Sequence, residues 1–111
     1  MARVSSVKEY FDTLHTRFVA NAAKGVKAVF QFELAGEGGG VYHVTVHDGT
    51  MTVAEGPAPT PSATLKMSAE HYVKMANGEL NGAMAFMKGQ LKVSGNVMLA
   101  QKMQAIFPQG T

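Results

Sequence analysis

The sequence predicts an α+β fold: a five-stranded, mostly antiparallel sheet covered on one face by helices. Three observations predict it. Apolar residues recur at helical spacing near the N-terminus, at strand spacing from residue 26 to 67, and mostly at helical spacing after residue 68. Short turns rich in Gly and Asp separate the first strand-like runs, which favours hairpins and antiparallel pairing. Strands in a run with helices at both ends place the helices together on one sheet face. A chain of 111 residues suits one domain, residues 1–111, with enough length for a core that needs no staples.

Each element has its own signal. Ser6-Val7-Lys8-Glu9 reads as a capping box. Val7, Tyr10, Phe11, Leu14 and Phe18 follow at helical spacing, which predicts one amphipathic helix running toward Gly25. Residues 26–34 alternate: Val26, Ala28, Phe30, Phe32 and Leu34 point one way, with Val29 the exception on the other side. The run Gly36-Glu37-Gly38-Gly39-Gly40 leads into a second strand, residues 41–47, with Tyr42, Val44 and Val46 on one face. Asp48-Gly49 is a two-residue hairpin signal before a third strand at 50–54. Gly56-Pro57-Ala58-Pro59-Thr60-Pro61 is a stiff connection. Ala63, Leu65 and Met67 make a fourth strand. Ser68 caps a helix bearing Tyr72, Val73, Met75 and Ala76, and Asn81 caps a second short one. Leu91 and Val93 form a fifth strand, and residues 97–107 a last helix closed by Pro108.

Composition excludes several classes of function. There are no cysteines, so disulfides, thiolate metal sites and a thiol nucleophile are all unavailable. A net charge of +2 without a basic cluster argues against nucleic acid as a partner. Met1-Ala2-Arg3-Val4-Ser5-Ser6 lacks the apolar core of a secretory signal, and no apolar stretch is long enough to span a bilayer. The expected compartment is the cytoplasm. Eight methionines stand out, six of them (Met67, Met75, Met84, Met87, Met98, Met103) between residues 67 and 103. Flexible, polarizable Met suits surfaces that accommodate ligands of varied shape, besides ordinary core filling.

Catalytic constellations are missing. The Gly-rich run at 36–40 precedes a strand instead of a helix, so it is a hairpin loop and not a phosphate loop. His43 and His47 share a strand face but sit roughly 13 Å apart at 3.4 Å per residue, too far for one zinc. His15 and His71 belong to different helices. No Ser lies in a nucleophile elbow, and Glu9, Asp48 and Glu70 serve a cap, a turn and a helix start. The expectation is a protein that is not an enzyme and needs neither a metal nor a cofactor.

The last third of the chain resembles the sterol carrier protein 2 family. Ser62-Ala63-Thr64-Leu65-Lys66-Met67-Ser68 looks like the strand that the family places before its ligand-covering helices. Gly78-Glu79-Leu80-Asn81, and then Ala85-Phe86-Met87-Lys88-Gly89-Gln90-Leu91-Lys92-Val93-Ser94-Gly95-Asn96, resemble its densest motif run. Met98-Leu99-Ala100-Gln101-Lys102-Met103-Gln104 looks like its closing helix. The resemblance is dense over residues 62–107; the rest agrees in element order and length. It implies an apolar tunnel between helices and sheet, and the binding and transfer of fatty acids, fatty acyl-CoA, phospholipids or sterol-like molecules. Asn81-Gly82 departs from the Asn-Pro common in relatives. The C-terminal Gln109-Gly110-Thr111 lacks the peroxisomal tripeptide of animal relatives, which favours a bacterial-style cytosolic member.

Sequence pattern and resemblance together give the expected lipid contacts. The sheet offers Phe30, Phe32, Val44 and Val46. The helices offer Tyr72, Met75, Met84, Met87, Met98 and Met103, with Gln101 beside an apolar stripe as a hydrogen-bonding group for a head group. A fatty-acyl or isoprenoid-like ligand fits this set better than a sterol. Expected partners are a small lipid and transient contact with a membrane surface, with the protein a monomer or weak homodimer. Alternatives are an accessory protein that presents a lipid intermediate such as a quinone precursor to biosynthetic enzymes, an acyl-CoA hydrolase, and a dimerisation module.

Overall fold

A computed structural model describes residues 3–109. Met1, Ala2, Gly110 and Thr111, on which the readings of both termini partly rest, lie outside the described residues. The Ser6 hydroxyl accepts from the Glu9 N–H at 3.1 Å and opens α1 (Val7–Asp12). The Glu9 carboxylate in turn accepts from the Ser5 N–H at 2.6 Å, one residue before the cap, so the capping box is shifted.

The first helix is shorter than its apolar spacing predicts. It ends at Asp12, and two 3-10 turns follow at Leu14–Thr16 and Ala20–Ala23. The Thr13 hydroxyl donates to the Glu9 carbonyl at 2.7 Å, and that of Thr16 to the Thr13 carbonyl at 2.7 Å. Such side-chain bonds to the backbone compete with helix continuation. The break turns Arg17 inward. Its guanidinium donates to the Ala76 carbonyl at 2.8 Å and lies 5.4 Å from the centre of the Tyr10 ring.

Strands β1 (Lys27–Ala35), β2 (Gly40–His47), β3 (Thr50–Glu55), β4 (Ala63–Ser68) and β5 (Leu91–Gly95) form one sheet in the order β3-β2-β1-β4-β5. Three pairings are antiparallel, and β1 with β4 is parallel. Asp48 and Gly49 both take positive φ, 43° and 88°, as a two-residue hairpin with the sheet's own twist requires. The parallel pair needs a crossover, and the Pro-rich stretch supplies it on the sheet's open face. Gln31 there accepts from the Ala58 N–H at 2.9 Å, and its cross-strand neighbour His43 brings Nδ1 to 2.9 Å from the Gly56 carbonyl.

The helices α1, α2 (Ala69–Ala76) and α3 (Gly82–Met87) follow the predicted caps, and α4 (Val97–Ile106) starts after Asn96, a turn residue that also serves as its cap. Ser68, Asn81 and Asn96 each accept N–H bonds from the first turn. Gly95 precedes α4 at φ 83°, where a side chain would also collide with the Ser62 carbonyl at 2.6 Å, so only glycine fits. Asn77, which ends α2, is buried. It exchanges two 2.8 Å hydrogen bonds with the backbone of Val4 and ties the N-terminus to the end of α2.

The core lies between the sheet and the helices. Over β1 and β2 it is aromatic. Phe11 stacks on Tyr42 at 4.2 Å and meets Phe32 at 5.2 Å, while Tyr72 meets Tyr10 at 5.0 Å and Phe32 at 5.8 Å. Burial pushes the hydroxyls of both Tyr10 and Tyr72 above the ordinary tyrosine pKa of 10.0, since a phenolate there loses its water.

Candidate functional site

An apolar cavity of about 440 Å³ lies over β4 and β5 at the other end of the helical layer. Strand alternation supplies its floor. Leu65 and its antiparallel neighbour Val93 point into it, joined by Leu91. Met75 reaches in from α2. Gly82, Ala83, Phe86 and Met87 line it from one face of α3, and Val97, Ala100, Gln101, Met103 and Gln104 from α4, with Gln109 beyond. The α4 positions recur at three- and four-residue steps, which is why a single helix face can form a wall.

Gly82 sets how closely α3 approaches its neighbours. A Cβ added there would lie 2.8 Å from Gln104 Nε2, 3.6 Å from Gln109 Nε2 and 3.6 Å from Met75 Sδ. Two amides and a thioether thus converge on a bare backbone carbon. The wall holds three amides, Gln101, Gln104 and Gln109, and no charged side chain. Such a site offers apolar burial with a few neutral hydrogen-bonding groups.

Four of the residues expected to contact lipid, Met75, Met87, Gln101 and Met103, come together on this wall. Phe30, Phe32, Val44 and Val46 are fully buried in the core beneath the helices, and Tyr72 in the aromatic cluster; none is among the lining residues. Met84 and Met98 stand exposed outside it. Leu65, Leu91, Val93 and Ala100 carried an apolar alternation or stripe in the sequence, yet nothing local separates a wall from packed core. Gly82 stood out only as a departure from the Asn-Pro of relatives and Gln104 only as part of the closing-helix run, and neither was expected to contact lipid. Among the described residues the space is a half-open pocket rather than the enclosed tunnel that the resemblance implies.

A wider depression of about 790 Å³ lies near Arg3, Glu9, Glu37 and Glu79. It is open, and its charged groups partly pair with one another, as Arg3 does with Glu79. Among the described residues no group of three or more His, Asp or Glu could hold a metal ion, and no helix is long and apolar enough to cross a membrane.

Comparison with known proteins bears on the family and the fold. The model of the SCP-2 sterol transfer family matches residues 11–108. The chain is 35% identical over 109 residues to hydroxysteroid dehydrogenase-like protein 2 of Bos taurus, covering 97% of this chain but 26% of that protein. It thus spans about a quarter of the length of that relative. The fold superposes on the sec-alkylsulfatase Pisa1 from Pseudomonas sp. with a TM-score of 0.82 at 19% identity, over 100% of this chain and 18% of that one. It matches the palmitated SCP2L2 of Aedes aegypti with a TM-score of 0.73 at 20% identity, over 96% and 97% of the two chains. With the family model spanning most of its length, the chain belongs to the SCP-2 sterol transfer family.

Proposed function

We propose that the chain binds and transfers single-chain lipids, such as fatty acids or fatty acyl-CoA esters, without catalysing a reaction on them. The observation that carries this reading is the apolar, uncharged cavity between β4, β5, α3 and α4. Its volume of about 440 Å³ falls within the roughly 300–1,000 Å³ of small-molecule pockets. Neutral amides supply neither a nucleophile nor a general base, which supports a carrier over a hydrolase. In this reading Met75, Met87 and Met103 hold the acyl chain while Gln101 and Gln104 meet the carbonyl or head group.

Magnitudes favour a resident lipid. About fourteen buried methylenes at roughly 0.8 kcal/mol each gain on the order of 11 kcal/mol. Lost freedom offsets several kcal/mol, and micromolar affinity requires about 8 kcal/mol. A sealed, dry void of this size would cost about 10 kcal/mol. The half-open mouth lets water in, so the empty protein avoids most of that cost and can release its cargo. The palmitated relative of the same fold supports an acyl chain as ligand.

Organic extraction and mass spectrometry of the purified protein test the reading, together with titration by a fluorescent fatty acid. A co-purifying amphiphile and saturable uptake at micromolar ligand are expected. Absence of both overturns it.

A second reading has its own support. In the Bos taurus relative the matched region is a minor part of a longer protein named as dehydrogenase-like. That favours a module that presents a lipid, a quinone precursor among the candidates, to a partner enzyme. Pull-down of biosynthetic enzymes from the native host separates it from a free carrier.

A further inference from the structure

The sheet ends in two edge strands that are built differently. β5, at one edge, has 5 residues and carries Lys92. A lysine on a short edge strand protects it against pairing with another chain. β3, at the other edge, has 6 residues and no charge from Thr50 to Ala54. It pairs with β2 in unbroken register from Thr50 to Glu55, without a bulge, and Pro57 comes only after the strand. None of the devices that blunt an edge is present along Thr50–Ala54.

The hairpin turn decides which backbone groups of β3 are free. In a two-residue hairpin the closing residues, here His47 and Thr50, exchange both hydrogen bonds, and bonded and non-bonded pairs alternate from there. At the far end the Gly56 N–H donates to the Val41 carbonyl at 2.7 Å, in step with that alternation. Thr50, Thr52 and Ala54 therefore turn their N–H and C=O toward β2. Met51, Val53 and Glu55 turn theirs outward, and among the described residues nothing hydrogen-bonds to them there.

The strand is complementary to itself. A two-fold axis through Val53 sets Val53 opposite its counterpart in a second copy, Thr52 opposite Ala54 and Met51 opposite Glu55. Facing residues then share a sheet face, as antiparallel pairing requires. The free donors of Met51, Val53 and Glu55 in each copy meet the free carbonyls of the same residues in the other. The one charged side chain of the strand, Glu55, meets Met51. The two Glu55 residues stay roughly 14 Å apart along the strands, beyond the screening length of about 8 Å in physiological salt. The pairing also closes on itself. Joining β3 to β5 of another copy would repeat without end and build filaments, and Lys92 stands against it.

We infer that two copies of the chain join through β3, edge to edge, into one continuous sheet. The order β3-β2-β1-β4-β5 places each cavity, over β4 and β5, at the far end from the junction, so both mouths stay free. A single strand pair buries less than a standard interface of about 1,600 Å². The dimer is therefore weak and forms as concentration rises. The inference is independent of the carrier reading, since no residue of β3 lines the cavity.

Sedimentation velocity of the whole chain over a concentration series, read together with amide hydrogen exchange, tests it. The sedimentation coefficient should rise from that of a monomer toward that of a dimer. Over the same series the amides of Met51, Val53 and Glu55 should gain protection, while those of Thr52 and Ala54, already bonded to β2, should not change. Val53→Pro should keep the chain monomeric throughout, because it removes an outward N–H and none that β2 uses. Thr52→Lys sets two lysines roughly 8 Å apart across the axis and should weaken the dimer about fivefold. Near-ultraviolet circular dichroism of the tyrosine cluster should match the parent in both variants and reports intact folding. Should Val53→Pro lose that signal, Thr52→Lys decides alone. A chain that stays monomeric up to about 1 mM, or a dimer whose β3 amides gain no protection, overturns the inference. So does a dimer that the folded variants leave as tight as the parent, or growth past the dimer into filaments.

Discussion

The two ends of the helical layer use apolar residues to opposite effect. Over β1 and β2, Tyr10, Phe11, Phe32, Tyr42 and Tyr72 meet edge-to-face and stacked, and the space between helices and sheet is filled. Over β4 and β5 the helices contribute Gly82, Ala83, Ala100 and flexible methionines, and about 440 Å³ stays open. Rigid rings fill volume in a few orientations and fix the elements that hold them. Small and unbranched side chains leave room and adapt their shape. One end anchors the fold so that the other can remain incompletely packed, which is what a lipid carrier needs.

Truncating the anchor should have the largest effect. Phe32→Ala is expected to cost about 3–5 kcal/mol in urea denaturation. A loss below about 1 kcal/mol would show that the aromatic end is not the rigid one. Filling the open end should do the reverse. Ala100→Trp is expected to lower fatty-acid affinity by about tenfold or more, roughly 1.4 kcal/mol, while the urea midpoint stays level or rises. A midpoint that falls as far as in Phe32→Ala would mean that the two ends do not differ in packing.

Alkaline pH should dissolve the anchor specifically. The folded state holds Tyr10 and Tyr72 protonated above the ordinary value of 10.0 that the unfolded chain shows. Below that value both states bind the same protons and the stability is fully present. Above it the unfolded chain loses protons that the native state keeps, so stability falls with rising pH. Near-ultraviolet circular dichroism should show a loss of tyrosine signal above about pH 10, and Tyr10→Phe/Tyr72→Phe should reduce that sensitivity. An unchanged alkaline transition in the double variant would assign it to other groups.

Gly82→Ala should have the smallest effect on stability. The helix gains up to about 1 kcal/mol in propensity, while the new methyl displaces the flexible end of Gln104 from 2.8 Å. Stability should hold or rise slightly, and the preference between free fatty acids and their methyl esters should shift. If the preference is unmoved, the convergence of amides on Gly82 is only packing.

Local signals in the sequence carried much of the fold. Alternation located β1, β2, β4 and β5, the Asp48-Gly49 turn placed β3, and Ser6, Ser68 and Asn81, read as caps, stand at the helix starts. The first helix was misjudged past Asp12, because apolar spacing does not register a threonine hydroxyl competing for the Glu9 carbonyl. The inward turn of Arg17 and the buried pairing of Asn77 with Val4 were likewise invisible, since each joins residues distant in the chain.

The cavity was legible only in part. Met75, Met87, Gln101 and Met103 could be named from helix spacing and family resemblance, but Phe30 and Phe32 carry the same kind of apolar signal and are packed core. By itself the sequence determined the elements, their caps and which face of each is apolar, because those depend on neighbours within a few residues. Which apolar faces meet and which stay apart was decided by the tertiary structure. Closure depends on how nearly two helices approach a strand, and here that distance turns on Met75 of α2, Gln104 of α4 and Gln109 beyond it converging on Gly82 of α3.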